Sequence, residues 1–197
     1  FLEEGDIAEV RLDKITIHDC DGKIVDRPIT ISNIKSGQVD KGNYDHFMQK
    51  EIFEQPQAIR DTLESRITNE SVITSSFGYK AEEIFSKAKQ IQIVACGTSY
   101  NAGLVAKYWI EDIAKIPCSV EIASEYRYRR PILLDDTLFI TLSQSGETAD
   151  TFEALKAAKI ISSKVKSLCI CNSAESTLTR YSDLTFLTHA GPEIGVA

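Results

Sequence analysis

From residue 90 onward, short apolar runs alternate with segments whose apolar residues recur at helical spacing. IQIVA leads into CGTSYNAGLVAKYWIEDIAK, where Leu104, Val105, Tyr108, Trp109 and Ile113 fall on one stripe. CSVEIA is a second apolar run. TLFITLS is a third, followed by the helical pattern of TADTFEALKAAK; KSLCICN is a fourth and DLTFLT a fifth. Strand-length runs separated by helices predict a parallel sheet covered on both faces, a doubly wound α/β fold. The 104–113 stripe, Trp109 included, is expected to face the core.

Upstream the pattern changes. IAEVRL and KITIHDC read as strands, and Asp21-Gly22 predicts a hairpin turn with KIVDR returning. Two or three such strands cannot bury a core alone. Residues 1–31 are therefore expected to be the last strands of an antiparallel domain that begins earlier. SNIKSGQVDKGN, residues 32–43, is polar and loop-like, a linker. Between residues 44 and 67, Phe47, Ile52, Ile59, Leu63 and Ile67 recur at near-helical spacing, and Pro56 is expected to break this segment into two helices. A short helix is expected over residues 81–88. The predicted organisation is antiparallel strands over 1–31, linker and helices over 32–80, and the α/β unit over 81–197.

Composition narrows the function classes. The chain has 197 residues, 43% hydrophobic and 26% charged, as in an ordinary globular protein. No apolar run approaches the ~20 residues that cross a bilayer, and FLEEGDIAEV lacks the basic-then-apolar order of a leader; a cytoplasmic location is expected. The net charge of −7 disfavours a nucleic-acid surface, and any anionic ligand must be held by local features. Five cysteines form no disulfide framework and fit a reducing interior. Cys169 and Cys171 share one strand face and are expected in the core. The histidines, His18, His46 and His189, are scattered and make no metal site.

Two loops carry unusual chemistry. Cys96-Gly97-Thr98-Ser99 follows IQIVA, and Ser143-Gln144-Ser145-Gly146-Glu147-Thr148 follows TLFITL. In an open parallel sheet, ligands sit beyond the carboxyl ends of the strands. A helix N-terminus there offers unpaired N–H groups and partial positive charge; short hydroxyls add donors and glycine allows close approach. Together these predict an anion site that needs no lysine or arginine. The plainer reading is a pair of helix caps, since Ser, Thr and Gly serve that purpose widely. Neither loop has the spacing of a P-loop or a dinucleotide fingerprint. Arg127, Arg129 and Arg130 could reach an anion or a partner subunit, though a solvated basic turn is the simpler reading. Cys96 reads as a packed or ligand-lining thiol rather than a nucleophile, and His189 as a loop histidine without an evident partner.

IVACGTSYNAG and TLSQSGETADT resemble the motifs of sugar isomerase (SIS) domains. With FLEEGDIAEV, HFMQKEIFEQP, PCSVEIASEYRYR and GPEIGVA, in that order, nearly the whole chain resembles the glucosamine-6-phosphate synthases, the glutamine–fructose-6-phosphate aminotransferases. That family has an N-terminal glutaminase domain followed by two SIS subdomains. The resemblance implies that this chain holds the end of the glutaminase domain, the interdomain linker and most of the first SIS subdomain. It implies that the glutaminase nucleophile and the residues that open and isomerise the sugar lie outside it. Carried over position by position, Ser143, Gln144, Ser145 and Thr148 are phosphate ligands for fructose 6-phosphate, with Ser99 assisting. Cys96, Gly97 and Thr98 line the sugar end, and Val196 belongs to a loop that closes on the sugar.

The same resemblance implies ammonia transfer from glutamine to the sugar, glucosamine 6-phosphate as product, no metal or organic cofactor, and a homodimer without nucleic-acid or membrane partners. Two other readings compete with it. One is a regulatory SIS module that senses a sugar phosphate, disfavoured by the acidic charge and the β hairpin that precedes the domain. The other is a related sugar-phosphate isomerase or deglycase, disfavoured by FLEEGDIAEV.

Overall fold

The computed structural model describes residues 2–29 and 40–195. The chain divides into two compact units, Phe1–Val39 and Asp40–Ala197. Most of the expected linker, and Val196, lie outside the described residues.

The first unit is a small antiparallel sheet of β1 (Ile7–Val10), β2 (Ile15–His18) and β3 (Ile24–Val25), in that order. The expected turn closes β2 onto β3. Asp19 accepts from the amides of Asp21 and Lys23 at 3.0 and 2.9 Å, and Gly22 takes φ +77°, a conformation that favours glycine. Arg27 donates to both oxygens of Asp6 at 2.8 and 2.9 Å. That bidentate bond, helped by the Glu3 amide, holds the Asp6 carboxyl down at about 2.

The second unit contains a five-stranded parallel sheet in the order β5-β4-β6-β7-β8. The strands are β4 (Gln90–Ala95), β5 (Cys118–Ile122), β6 (Thr137–Leu142), β7 (Lys166–Cys171) and β8 (Leu184–Leu187). The helices are α1 (Phe47–Leu63), α2 (Ala81–Lys87), α3 (Gly97–Trp109), α4 (Ala123–Tyr126), α5 (Ala149–Ile161) and α6 (Thr177–Tyr181). This is the expected doubly wound α/β fold. Alternate side chains divide between two cores. Ile91, Ile93, Leu138, Ile140 and Leu168 pack on the face covered by α2 and α3, while Val94, Phe139, Cys169 and Cys171 pack on the face covered by α4, α5 and α6. The connection through α3 runs to one side of β4 and every later one to the other. Right-handed crossovers in opposite directions place their helices on opposite faces.

Three expectations need correction. Pro56 does not divide its segment: α1 is one helix of 17 residues with Pro56 inside it. Proline removes one amide from the ladder, but Ile52, four residues earlier, is exposed, so water can take the freed carbonyl. The helix also stops short of Ile67, which forms a bridge with Val72 instead.

Second, the stripe of Leu104, Val105, Tyr108, Trp109 and Ile113 faces outward, Trp109 being 65% exposed and Ile113 78%. The face of α3 against the sheet is built on small residues. Gly103 is buried there, and a β-carbon on it would lie 3.1 Å from both Ile93 and Val120. Helix and sheet approach closely because nothing larger stands between them.

Third, His189 has partners. Its ring contacts the Arg66 guanidinium at 2.9 Å and the Asp61 carbonyl at 3.1 Å, and its amide donates to Thr62 at 2.9 Å. It fastens the segment after β8 to the end of α1.

Candidate functional site

β4 and β6 are neighbours, with Ala95 paired to Leu142. The next residues, Cys96 and Ser143, therefore open two loops side by side at the carboxyl ends of adjacent strands. Here the sheet order reverses, since the chain leaves β4 toward β5 and returns on the other side as β6. Such a reversal opens a crevice between its two loops.

In the first loop Cys96 is extended (φ −120°, ψ 158°) and Gly97 takes φ +57°, which turns the strand sharply into α3. Thr98 is exposed and Ser99 half-buried. No side chain caps α3, and its first amide bonded within the turn is that of Tyr100, to the Cys96 carbonyl at 3.3 Å. The amides of Gly97, Thr98 and Ser99 have no acceptor among the described residues.

The second loop is held by its own bonds. Ser143 is buried, and its hydroxyl accepts from the Gly146 amide at 3.0 Å and meets the Thr148 hydroxyl at 3.1 Å. Ser145 accepts from the Glu147 amide at 3.1 Å, which leaves its own hydroxyl proton unassigned to any partner. Thr148 occupies the cap position of α5, yet its hydroxyl turns to Ser143 rather than to the helix. Among the described residues the amides of Ser145, Thr148, Ala149 and Asp150 have no acceptor. Gln144 and Ser145 are exposed, so the loop is at the surface.

The loop rests on the start of α6. Leu178 donates its amide to the Gly146 carbonyl at 3.1 Å, and Thr177 donates to the Glu147 carboxylate at 2.8 Å. Gly146 has φ +68°, and a β-carbon there would fall 2.1 Å from the Ser176 hydroxyl. Ser176 itself caps α6 through the Thr179 amide. Sequence reasoning missed α6 and its part in shaping the loop. The signal was the run SAESTL, a serine just before a short helical turn.

The other candidates resolve differently. Arg127 pairs with Asp150 at 2.7 Å, in the first turn of α5, and Arg129 pairs with Glu121. Only Arg130 fits the reading of a solvated basic turn. Cys96 packs against the α4–α5 core. Cys169 and Cys171 are buried as expected, and the bond to Cys171 together with burial pushes the Cys169 thiol up. Ahead of Val196, the amides of Ile194 and Gly195 both donate to the Glu51 carboxylate, at 2.8 and 2.9 Å. A cleft at the opposite end of the sheet is lined by Glu83, Lys87, Asp136 and Lys164, which are taken up in ion pairs of mixed sign.

The two loops thus present amides and hydroxyls without a lysine or arginine among them. They can hold an anion, and the carboxylate they contain, that of Glu147, is taken up by the Thr177 amide. Among the described residues no cluster of side chains could hold a metal ion, and no helix is long and apolar enough to cross a membrane.

The sequence is similar to known proteins over its full length. It is 55% identical over 197 residues to the glutamine–fructose-6-phosphate aminotransferase (isomerizing) of Vibrio parahaemolyticus, and 54% identical to that of Pseudomonas syringae pv. tomato. The chain spans 32% of the length of each of these curated relatives. Among solved structures, the C-terminal domain of glucosamine-fructose-6-phosphate aminotransferase from Francisella tularensis superposes with a TM-score of 0.75 at 53% identity, covering 80% of this chain and 44% of that one. A tagatose-6-phosphate ketose/aldose isomerase from Escherichia coli, 20% identical with a TM-score of 0.58, shares the fold. The family profile described as "SIS domain" matches residues 84–197, which takes in every strand of the parallel sheet and both loops; the chain belongs to the SIS domain family.

Proposed function

We propose that this chain binds fructose 6-phosphate, with the phosphate seated between the two loops, as part of an amidotransferase that makes glucosamine 6-phosphate from fructose 6-phosphate and glutamine-derived ammonia. One observation carries the reading: two helix N-termini with unpaired amides lie side by side where the order of the sheet reverses. The names of the relatives supply the sugar. Ser143, Gln144, Ser145 and Thr148 hold the phosphate, with Ser99 beside them. Cys96, Gly97 and Thr98 line the sugar end, and Val196 belongs to the segment that closes on it.

The chemistry of the site supports this assignment. A phosphate carries close to two negative charges at neutral pH. Each hydrogen bond from a neutral donor to it is worth roughly 1.5–3 kcal/mol net, and the helix ends add roughly 0.3–1 kcal/mol each. Several such bonds suffice for micromolar to millimolar binding. The carboxylate in the loops, that of Glu147, is bonded to the Thr177 amide, so these residues bind and orient while ring opening and amination fall to other groups. By the same reading the 197 residues alone bind sugar phosphate without converting it, and the enzyme works as a homodimer without a cofactor.

Calorimetry with fructose 6-phosphate tests the reading. Ser145→Ala removes one charge-assisted bond and is expected to weaken binding by roughly 1–3 kcal/mol, or about 5- to 150-fold. Ser145 sits on the surface, so the fold should be unaffected. Equal affinity in the variant would remove Ser145 from the site. Absence of binding to the unsubstituted chain would remove the assignment altogether.

A further inference from the structure

The first turn of α5 holds a feature that works against an anion site. Asp150 is its second residue, and its own amide is among the unpaired donors beside Thr148. A carboxylate favours a helix N-terminus, but here it would repel a phosphate bound to the same amides. The fold answers with Arg127, which follows α4 and donates from Nη1 to Asp150 Oδ1 at 2.7 Å. Both side chains are partly shielded, 26% and 38% exposed, so the pair is screened less than one in open solvent. The bond to Asp150 raises the Arg127 guanidinium further above its ordinary range, and the Tyr128 ring lies 4.8 Å from it.

The geometry points to Arg127 as a positioning residue for phosphate recognition: it neutralises Asp150 and ties its carboxylate into an ion pair, so that the site stays open to a dianion without a cation touching the ligand. This inference rests on the proposed seating of the phosphate between the two loops. It differs from an ordinary surface ion pair in where it acts. The pair joins α4 to the helix whose N-terminus forms half of the site, and its loss would leave a full negative charge within one helical turn of the ligand.

Titration of the 197-residue chain with fructose 6-phosphate at low ionic strength provides the test, with thermal melting as a check on folding. Arg127→Met is expected to weaken binding roughly tenfold at pH 8, by Coulomb repulsion between a dianion and one unpaired charge at close range. The loss should shrink by about half on the logarithmic scale at pH 5.5, where the phosphate is close to a monoanion. Purely structural damage would weaken both charge states alike. Asp150→Asn, which leaves Arg127 positive and the fold intact, should bind more tightly than the unsubstituted protein. The double variant Arg127→Met with Asp150→Asn should return to within about threefold of it. If Arg127→Met does not fold, the Asp150→Asn result decides alone. Unchanged or weaker binding in Asp150→Asn overturns the inference, as does a loss in Arg127→Met that is the same at both pH values. If the unsubstituted chain binds no sugar phosphate, the inference falls together with the function it rests on. If it binds and the variants behave alike, only the inference falls.

Discussion

At the residue scale, Gly146 decides whether the second loop can exist. It combines φ +68° with a position directly against Ser176, where a β-carbon would lie 2.1 Å from Oγ and 2.5 Å from Cβ. Two separate costs follow from any side chain. The left-handed backbone costs a non-glycine residue roughly 1–2 kcal/mol, and the collision forces α6 away from the Gly146 carbonyl and Glu147. Gly146→Ala is therefore expected to lower stability by about 2–4 kcal/mol, read as a fall in the denaturation midpoint. Ser176→Gly in the same background makes room and sacrifices a cap bond worth a few tenths of a kcal/mol between serine and glycine. It should recover the collision but not the backbone strain, leaving a deficit of roughly 1–2 kcal/mol. Equal stability of the single and double variants would show that Ser176 is not what the glycine makes room for. The sequence announced the glycine and its hydroxyl neighbours, because Ser-x-Ser-Gly at a strand end is a local pattern. It could not announce Ser176, thirty positions away, since that contact exists only once β7 has been laid beside β6.

At the scale of elements, the periodicity of apolar residues located nearly every strand and misjudged two helices. Strands buried on both faces read as continuous runs, so IQIVA, TLFITL and KSLCIC were legible without knowledge of their neighbours. Helix α3 was misleading because its apolar stripe and its packed face are different faces. Close approach to a sheet selects glycine and alanine, which count little in a hydrophobic pattern, while Trp109 and its neighbours point outward. The misreading of α1 was of another kind. Proline costs a helix less where water can reach the carbonyl it strands, and α1 has no buried residue. Its attachments are polar: Glu51 holds the amides of Ile194 and Gly195, and Thr62 holds that of His189. A continuous α1 makes Pro56 a liability. Pro56→Ala restores one amide to the ladder and replaces the poorest helix former by the best, a local gain of up to about 3 kcal/mol, less the entropy that proline removes from the unfolded chain. Amide exchange along Phe47–Leu63 should slow, with the parallel sheet unchanged. Faster exchange there would mean that the segment prefers the break at Pro56.

For the molecule as a whole, the two units are held by different forces, and acid should tell them apart. The α/β unit has two cores whose central residues are almost fully buried, among them Val94, Phe139 and Leu155. Among the described residues the sheet β1–β3 has no such core: Ile7, Val10, Ile15 and Ile24 are each between 64% and 72% exposed. Three short strands without a covered apolar face are marginal, which puts weight on the cross-link between Asp6 and Arg27 that spans the unit from before β1 to after β3. Asp6 titrates at about 2 in the folded unit, against about 3.9 in an unfolded chain. A carboxyl with a depressed folded value stabilises fully above the unfolded one, and that contribution disappears as pH falls toward the folded one. NMR spectra recorded from about pH 5 down to about pH 2 should therefore lose the dispersed amide signals of residues 7–25 while those of β4, β6 and β7 persist. Asp6→Asn should bring about the same selective loss already at neutral pH and abolish its acid dependence, because asparagine keeps the size of the side chain but not its charge. Should the small sheet keep its signals to pH 2, or the variant keep them at pH 7, the weight would lie on its backbone ladder and turns rather than on the bond between Asp6 and Arg27.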